Sequence, residues 1–174
     1  MTRISRDLKV IAMKVMWNPW RYEYIRQSNE RKGECLFCKL QKLGDEEALI
    51  VYRGNYSFVV LNAYPYNSGH VMIAPYRHAP DLTELEDEVA VEIANLLKKS
   101  IRALREALSA EGFNIGANIG RVAGAGVPDH FHVHVVPRWV GDSNFMAIVA
   151  GVKPLPLSLR DAYEMIRRAW AKVN

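Results

Sequence analysis

Three of the chain's five histidines fall on alternate residues of one short segment, residues 130–136, HFHVHVV. In an extended strand such residues share a face, so the three imidazoles would lie on one side of a sheet and Phe131, Val133 and Val135 on the other. A row of imidazoles buried without a purpose would cost desolvation and mutual repulsion on protonation. The pattern therefore predicts a metal site or a catalytic face.

A glycine-rich segment, GRVAGAGVPD, leads into the histidine row. Glycine lets backbone amides approach a phosphate closely, although such a loop on its own is often only a long turn. A neutral imidazole nitrogen can attack phosphorus. The loop and the histidines together therefore indicate phosphate chemistry.

The two cysteines of the chain, Cys35 and Cys38, form a Cys-x-x-Cys pair in ECLFCKL. A redox pair needs its first cysteine at a helix N-terminus after a core strand, whereas this pair follows a polar run and precedes the first predicted strand. A zinc ion would need two further ligands. The residues leave a redox pair and a metal site open, and they favour the metal site.

Composition limits the class of protein. The 174 residues are 49% hydrophobic, which is enough for one globular domain with a core. No apolar run approaches a membrane span, and the N-terminal segment is interrupted by Lys9 and Lys14, so we expect a cytoplasmic protein without a membrane partner. The net charge of +4 mildly favours an anionic partner, but the charges are mixed and do not indicate nucleic acid.

The elements that must position these residues follow from hydrophobic periodicity. Strands are predicted at residues 48–53, 56–63, 70–76, 113–119 and 130–137, and helices at 83–110 and 157–172. Gly54-Asn55 predicts a hairpin between the first two strands. This order predicts a single α+β domain in which an antiparallel sheet carries helices on one face.

Local signals predict where the helices begin and end. Thr83 and Glu86 fit a capping box at the start of the long helix, and Gly112 fits its end. Ser158 is the predicted cap of the last helix.

Longer motifs carry a family resemblance. Around HFHVHVVPR stand LNAYPYNSGHVMIAPYRH (61–78), NIGRVAGAGVPDH (118–130) and PRWVGDSNFM (137–146). With these motifs the chain resembles the histidine triad (HIT) superfamily of nucleotide hydrolases and transferases. WNPWRYEYI (17–25), CLFC and RWVGDSNFM are most similar to its branch of diadenosine tetraphosphate phosphorylases and ATP adenylyltransferases. The resemblance implies a HIT-like five-stranded sheet with one long and one C-terminal helix in a domain at 17–174, with residues 1–16 as an N-terminal extension.

The resemblance implies catalytic roles for two histidines. In the family the middle histidine, here His132, is the nucleophile that attacks the α-phosphorus of a nucleotide and forms a nucleotidyl-histidine. Its other ring nitrogen should donate to a backbone carbonyl. His134 would bind phosphate oxygens in the transition state.

Further residues are implied to bind the nucleotide and its phosphates. They are Asn62, His70, Asn118, Gly124, Ala125, Gly126 and His134. Asn62 matches a family position that contacts the ribose, but an asparagine here is equally expected as a turn residue. His70 is expected near the triad, although a lone histidine could be structural. The aromatic arm at Trp17–Arg21 could line a nucleotide pocket, with packing the favoured alternative, and Asn144 and Phe145 could lie near the site.

Zinc-bearing relatives, including galactose-1-phosphate uridylyltransferase, pair such cysteines with a histidine before the long helix and with the first histidine of the triad. The resemblance therefore implies a closed, structural zinc site formed by Cys35, Cys38, His78 and His130.

Three functions follow as hypotheses. The first is a phosphorylase that cleaves dinucleoside polyphosphates and passes the nucleotidyl group to inorganic phosphate, which fits a loop with Ala-Gly-Ala-Gly where hydrolases often carry glutamine. The second is a hydrolase of dinucleoside polyphosphates or nucleoside phosphoramidates that uses water. The third, from another class, is a zinc-stabilised nucleotide-binding or sensor module with little turnover. The family also implies a homodimer, to which the fifth strand or the N-terminal arm could contribute.

Overall fold

The computed structural model describes residues 34–142 and 155–173. The elements in chain order are α1 (Leu36–Leu40), α2 (Asp45–Ala48), β1 (Ile50–Arg53), β2 (Ser57–Leu61), β3 (Val71–Pro75), α3 (Asp87–Leu108), β4 (Gly112–Gly116), β5 (Val133–Arg138) and α4 (Leu159–Trp170). The strands form one antiparallel sheet in the order β1-β2-β3-β5-β4. The predicted α+β class, with a five-stranded antiparallel sheet, a long helix and a C-terminal helix, is confirmed.

The two long helices pack on one face of the sheet, as predicted. The apolar stripe of α3 and the buried residues of α4 form one core cluster with alternate residues of β2, β3 and β5, such as Val59, Ile73 and Val135. The opposite face carries a second, smaller cluster in which Phe37 of α1 packs against Phe58 and Met72. The sheet is therefore covered by helices on one side and by the short helix α1 on part of the other.

The boundaries of α3 differ from the prediction. Its N-cap is Glu86, whose side chain makes no capping bond, so the predicted capping box is wrong. Asp81 instead accepts a hydrogen bond from the Thr83 backbone N–H and caps a 3-10 turn at Leu82–Glu84, which delays the helix. The helix ends at Ser109 in the left-handed conformation, with φ +52°, and Gly112 begins β4 instead.

β5 lies inside the sheet, between β3 and β4. It begins at Val133, so His130 and His132 precede its ladder, but the alternation of faces is as predicted. Phe131 and Val135 lie in the core under the helices, whereas His134 is registered with Met72 of the opposite cluster. Among the described residues the edges of this sheet are β1 and β4, so β5 is not placed to continue the sheet into a partner chain.

Within these two described ranges, none of the helices combines the length and the apolar character that a bilayer crossing requires.

Candidate active site and metal centre

Three imidazoles gather on the sheet face opposite the long helices. The ring centroids of His132 and His134 are 4.9 Å apart, and those of His134 and His70 are 5.1 Å apart. His70 reaches this group because β3 pairs with β5 and His70 directly precedes β3. The three residues that the sequence assigned to phosphate chemistry, His70, His132 and His134, are therefore neighbours in the fold.

His132 is held in one tautomer by the backbone. Its Nδ1 donates to the carbonyl oxygen of His130 at 2.9 Å, so the proton sits on Nδ1 and Nε2 keeps its lone pair. The residue is buried, at 5% exposure. Burial lowers the pKa of His132, although the hydrogen bond to His130 opposes the shift. The ring thus has a bare Nε2 and the lowered pKa of a neutral imidazole, in the backbone-held tautomer that the sequence predicted.

His134 is held in the opposite tautomer through His70. The backbone N–H of Tyr66 donates to His70 Nδ1 at 3.2 Å, so the proton of a neutral His70 must sit on Nε2. That Nε2 lies 3.0 Å from His134 Nδ1 and donates to it. The proton of a neutral His134 is then on Nε2, where it can be donated to a ligand oxygen.

His70 is a strictly neutral member of this chain of hydrogen bonds. The residue is fully buried, at 0% exposure. Burial, reinforced by the neighbouring His134 and His132, lowers its pKa to about 3. A protonated His70 would place a donor against the Tyr66 N–H, so the low pKa preserves the tautomer of His134.

Asn62 has the turn geometry and also reaches the site. Its side-chain oxygen accepts from the backbone N–H of Tyr64 at 2.8 Å, and its Nδ2 lies 3.3 Å from His70 Nδ1. The turn interpretation is therefore supported, and the residue lies one hydrogen bond from His70.

The glycine-rich segment starts beside the triad. Gly116 is paired across the strands with His134, and a Cβ built on Gly116 would meet nothing within 4 Å, so the space beside His134 is open. Asn118 follows two residues later and is half-buried. The N–H of Gly124 donates to the Arg121 carbonyl and that of Ala125 to the Gly120 carbonyl.

These hydrogen bonds limit how the backbone amides of residues 124–126 could bind phosphate in the way that the sequence predicted. Two of the three proposed amides, those of Gly124 and Ala125, already close a turn at 2.9 and 3.3 Å. Gly126 is the member of the trio that this turn does not use. A phosphate could therefore engage the first two amides only by sharing them or by opening the turn.

Two aromatic residues of the site were missed by the sequence analysis. Phe37 lies with its ring centroid 5.1 Å from His130 and 4.8 Å from His132. Tyr66 lies 4.8 Å from His70 and 5.8 Å from His134. The available signals were the position of Phe37 between the two cysteines and that of Tyr66 four residues before His70.

A second cluster adjoins the active face. Cys35, Cys38, His78 and His130 each offer one ligand atom, and these four atoms lie within 4.8 Å of one another. His130 Nδ1 is 3.3 Å from Cys35 Sγ and 3.7 Å from Cys38 Sγ, and His78 Nδ1 is 3.4 Å from Cys38 Sγ. A tetrahedral ion with the bond lengths typical of zinc separates sulfur and nitrogen ligands by about 3.6 Å. The donor set therefore fits a four-coordinate metal ion.

The other nitrogen of His130 supports this fit. Its Nε2 donates to the carbonyl oxygen of Pro75 at 2.9 Å, which leaves Nδ1 as the bare donor aimed at the cysteines. Metal-binding histidines are commonly oriented by such a bond. His130 thus contributes its side chain to the cluster of cysteines and histidines and its carbonyl to the hydrogen bond with His132.

The aromatic arm at Trp17–Arg21, the extension at 1–16, and Asn144 and Phe145 lie outside the described residues.

Comparison with known proteins gives consistent matches. A family model described as the HIT domain matches residues 44–140. An AP-4-A phosphorylase of Mycobacterium tuberculosis is 38% identical over 164 residues, covering 90% of this chain and 84% of that protein. An adenosine 5'-monophosphoramidase of Schizosaccharomyces pombe is 35% identical over 104 residues, covering 60% of this chain and 74% of that protein.

Solved structures agree with this assignment. A Zn-bound histidine triad family protein from Mycobacterium smegmatis is 30% identical, with a TM-score of 0.66. The match covers 80% of this chain and 94% of that one.

Proposed function

The chain belongs to the HIT domain family, and on this premise we propose that it is a nucleotidyltransferase of the phosphorylase type that cleaves dinucleoside polyphosphates through a covalent nucleotidyl-histidine. The observation that carries the proposal is the hydrogen bond from His132 Nδ1 to the His130 carbonyl, because it leaves Nε2 bare on a neutral ring. Similarity to the mycobacterial AP-4-A phosphorylase over most of both chains supports a substrate of the diadenosine tetraphosphate type.

In the first step, Nε2 of His132 attacks the α-phosphorus. The new N–P bond forms as the bond from phosphorus to the bridging oxygen breaks, and that oxygen leaves with the electron pair as part of a nucleoside polyphosphate. His134, with its proton on Nε2, donates to a phosphate oxygen as charge redistributes. Splitting one displacement into two lowers the barrier of each.

In the second step, an oxygen of inorganic phosphate attacks the same phosphorus. The N–P bond breaks, the electron pair returns to His132 Nε2, and a nucleoside diphosphate leaves. With diadenosine tetraphosphate the products are one ATP and one ADP. Phosphate is favoured over water because the loop before the triad has Ala-Gly-Ala-Gly, without the glutamine that the hydrolase branch often carries.

The experiment that tests this function uses labelled diadenosine tetraphosphate and stops the reaction with alkaline denaturant, in which an N–P bond survives; the linkage is then tested by its lability in acid. We expect the wild-type protein to retain labelled, acid-labile nucleotide and to require phosphate for turnover, with ADP as product. His132→Asn should lose the adduct and essentially all turnover, whereas Asp129→Asn, an exposed neighbour, should retain both. Full turnover by His132→Asn would refute the covalent route.

A hydrolase is the second candidate, and the monophosphoramidase of Schizosaccharomyces pombe favours it. It would use the same His132 adduct with water as acceptor. The same assay without phosphate separates the two, because AMP in place of ADP identifies the hydrolase. A binding module with little turnover is less well supported, since binding alone does not need a bare Nε2 on His132.

We also propose that Cys35, Cys38, His78 and His130 hold a structural zinc ion. A bound zinc would link α1 to the segment before β5 and leave no ligand position for substrate. Elemental analysis of protein purified without chelator should give one equivalent of zinc per chain. A content below about 0.1 equivalent would remove the zinc proposal. Thiolate ligands also fit a reducing compartment, which supports a cytoplasmic location.

We also propose that the chain forms a homodimer. Among residues 34–142 and 155–173, β4 is an edge strand, and its residues Asn114, Ile115 and Gly116 are exposed. An exposed strand edge is a template for pairing with a second chain, and a twofold axis beside β4 would continue the sheet into the partner.

A further inference from the structure

Phe37 links the metal cluster to the nucleophile. It lies between Cys35 and Cys38 in the sequence, on the short helix α1, and only 1% of its surface is exposed. Its ring lies against the rings of His130 and His132, with centroid separations of 5.1 and 4.8 Å. One turn of chain therefore presents sulfur atoms to His130 and an aromatic ring to His132.

The geometry of α1 makes these contacts interdependent. Cys35 is the N-cap and Cys38 lies three residues on, so the two share one side of the turn. Their sulfur atoms lie 3.3 and 3.7 Å from His130 Nδ1, which fixes α1 relative to the segment before β5. Phe58 of β2 lies edge-on to Phe37, with ring centroids 6.4 Å apart.

The ring of His132 needs a second constraint. Its Nδ1 bond to the His130 carbonyl fixes one edge of the imidazole, and tilt about that bond is limited by the two rings packed against it, that of His134 with centroids 4.9 Å apart and that of Phe37 with centroids 4.8 Å apart. Nε2 lies on the far edge and would move most. Since a misplacement of about 1 Å can reduce a rate by about a hundredfold, a contact that limits the tilt of the ring matters for attack on phosphorus.

We propose that Phe37 is a positioning residue for His132, packed against its ring so that Nε2 is held in the attacking orientation. The inference rests on the proposed role of His132 as the nucleophile. It adds a function to the Cys-x-x-Cys turn, which on this view positions the nucleophile as well as binding the metal.

The alternative is that Phe37 only fills the smaller core cluster. Phe58 offers a matched control, because it is equally buried, at 0% exposure, and belongs to the same cluster. Its aromatic partners are Phe37 and Tyr76, not His132. If substitutions of Phe37 and Phe58 had equal effects on the rate, Phe37 would contribute only to the packing of the cluster.

The experiment compares Phe37→Leu with Phe58→Leu, with Phe37→Met as a second variant in case the first fails to fold. Metal content and melting temperature are measured first, to match the variants. The single-turnover rate of nucleotidyl-histidine formation at saturating nucleotide should fall about tenfold or more in Phe37→Leu and less than about threefold in Phe58→Leu.

A second readout does not depend on activity. Long-range proton–nitrogen spectra of ¹⁵N-histidine-labelled protein report the tautomer of each ring, with His132 assigned by its loss in His132→Asn. The wild type, Phe58→Leu and Phe37→Leu should all keep the Nδ1–H form, but the His132 ring signals of Phe37→Leu alone should shift or broaden, because the ring then samples more than one tilt. Equal rates and unchanged spectra in both variants would overturn the inference. A wild type without adduct, but with the spectral change confined to the Phe37 variants, would overturn the proposed function and retain the positioning role.

Discussion

At the scale of single residues, one backbone N–H determines the proton positions of two imidazoles. The Tyr66 N–H occupies His70 Nδ1, His70 Nε2–H occupies His134 Nδ1, and the His134 proton is left on Nε2. His132 has the opposite tautomer, because its Nδ1–H donates to the His130 carbonyl and its Nε2 carries no proton. The site therefore places a bare nitrogen on one histidine beside an N–H donor on the next.

Removing His70 tests this arrangement. We expect His70→Phe to lower kcat by about a hundredfold, because His134 can then adopt the tautomer that has no donor toward the phosphate. His70→Gln keeps a side-chain N–H that can reach His134 Nδ1 and should recover part of the loss. Steady-state kinetics on both variants provide the measurement, and equal losses would show that the hydrogen bond has no role.

The low pKa of His70 predicts a pH dependence of stability. The pKa of His70 is about 3 in the fold and 6.5 when unperturbed. At a pH between these two values the unfolded chain therefore binds one more proton than the folded chain. The free energy of unfolding therefore falls as the pH drops from about 6.5 toward 3, by up to about 1.4 kcal/mol per pH unit from this residue alone. Above 6.5 the contribution is fully present.

The measurement is urea unfolding at several pH values between 4 and 6. Burial also lowers the pKa of His130 and His132, so the wild-type slope contains more than one residue. His70→Gln isolates the contribution of His70. In this variant the unfolding free energy should depend less steeply on pH, by the equivalent of about one bound proton. Parallel slopes in the two proteins would contradict the assignment.

The sequence predicted the histidine row because alternation along a strand is a local property. The hydrogen bond from Tyr66 to His70 could not be predicted, since it depends on how the loop between them turns. The role of Phe37 was missed for a related reason: its contact with His132 spans a sequence separation that only the folded sheet and α1 bring together.

At the scale of elements, the loop that carries Tyr66 and His70 is held by the exit of β5. Asn67 is buried and donates through Nδ2 to the Pro137 carbonyl at 3.0 Å and to Asp142 Oδ2 at 2.8 Å. The Asp142 side chain is only 7% exposed and also accepts from Arg138. The segment after the triad therefore positions the loop that orients His134.

We therefore expect Asp142→Ala to destabilise the folded protein. Removing a buried carboxylate leaves Asn67 without one acceptor and Arg138 without its ion pair, and we expect a loss of about 2–3 kcal/mol in the free energy of unfolding. Glu164→Ala removes an exposed pair with Arg160 and should cost less than about 1 kcal/mol. Denaturant titration of both variants tests the difference, and similar small losses would show that this network does not hold the loop.

Element types were predictable, but several boundaries were not. The long helix and the strands follow from periodicity, and Ser158 caps α4 as predicted, accepting from the Asp161 backbone N–H at 3.1 Å. The start of α3 was wrong because Asp81 takes the Thr83 N–H. Its end was wrong because the indole N–H of Trp139, thirty-one residues away, donates to the Leu108 carbonyl. Each error arises from a side chain whose competing bond the periodic pattern does not contain.

At the scale of the whole molecule, the histidine-bearing face of the sheet lies next to the edge strand β4. β4 pairs with β5 through Gly116 and His134, so in the described part of the chain the strand that borders the triad is also an edge of the sheet. A partner strand added at β4 would lie one strand away from His134. The homodimer proposed above would therefore place its interface close to both active sites, which ties activity to assembly.

The dimer interface is tested by placing a charged side chain on β4. Ile115 is 43% exposed on β4, and Ile115→Lys should convert a dimer to a monomer because a lysine on an edge strand opposes pairing. Val91→Lys is the matched control, since Val91 is 59% exposed on α3 and away from the edge. Sedimentation equilibrium measures the mass of each protein. A monomeric wild type, or a dimer that survives Ile115→Lys, would exclude the β4 interface, whereas a monomer that also loses activity would show that the triad depends on the neighbouring chain.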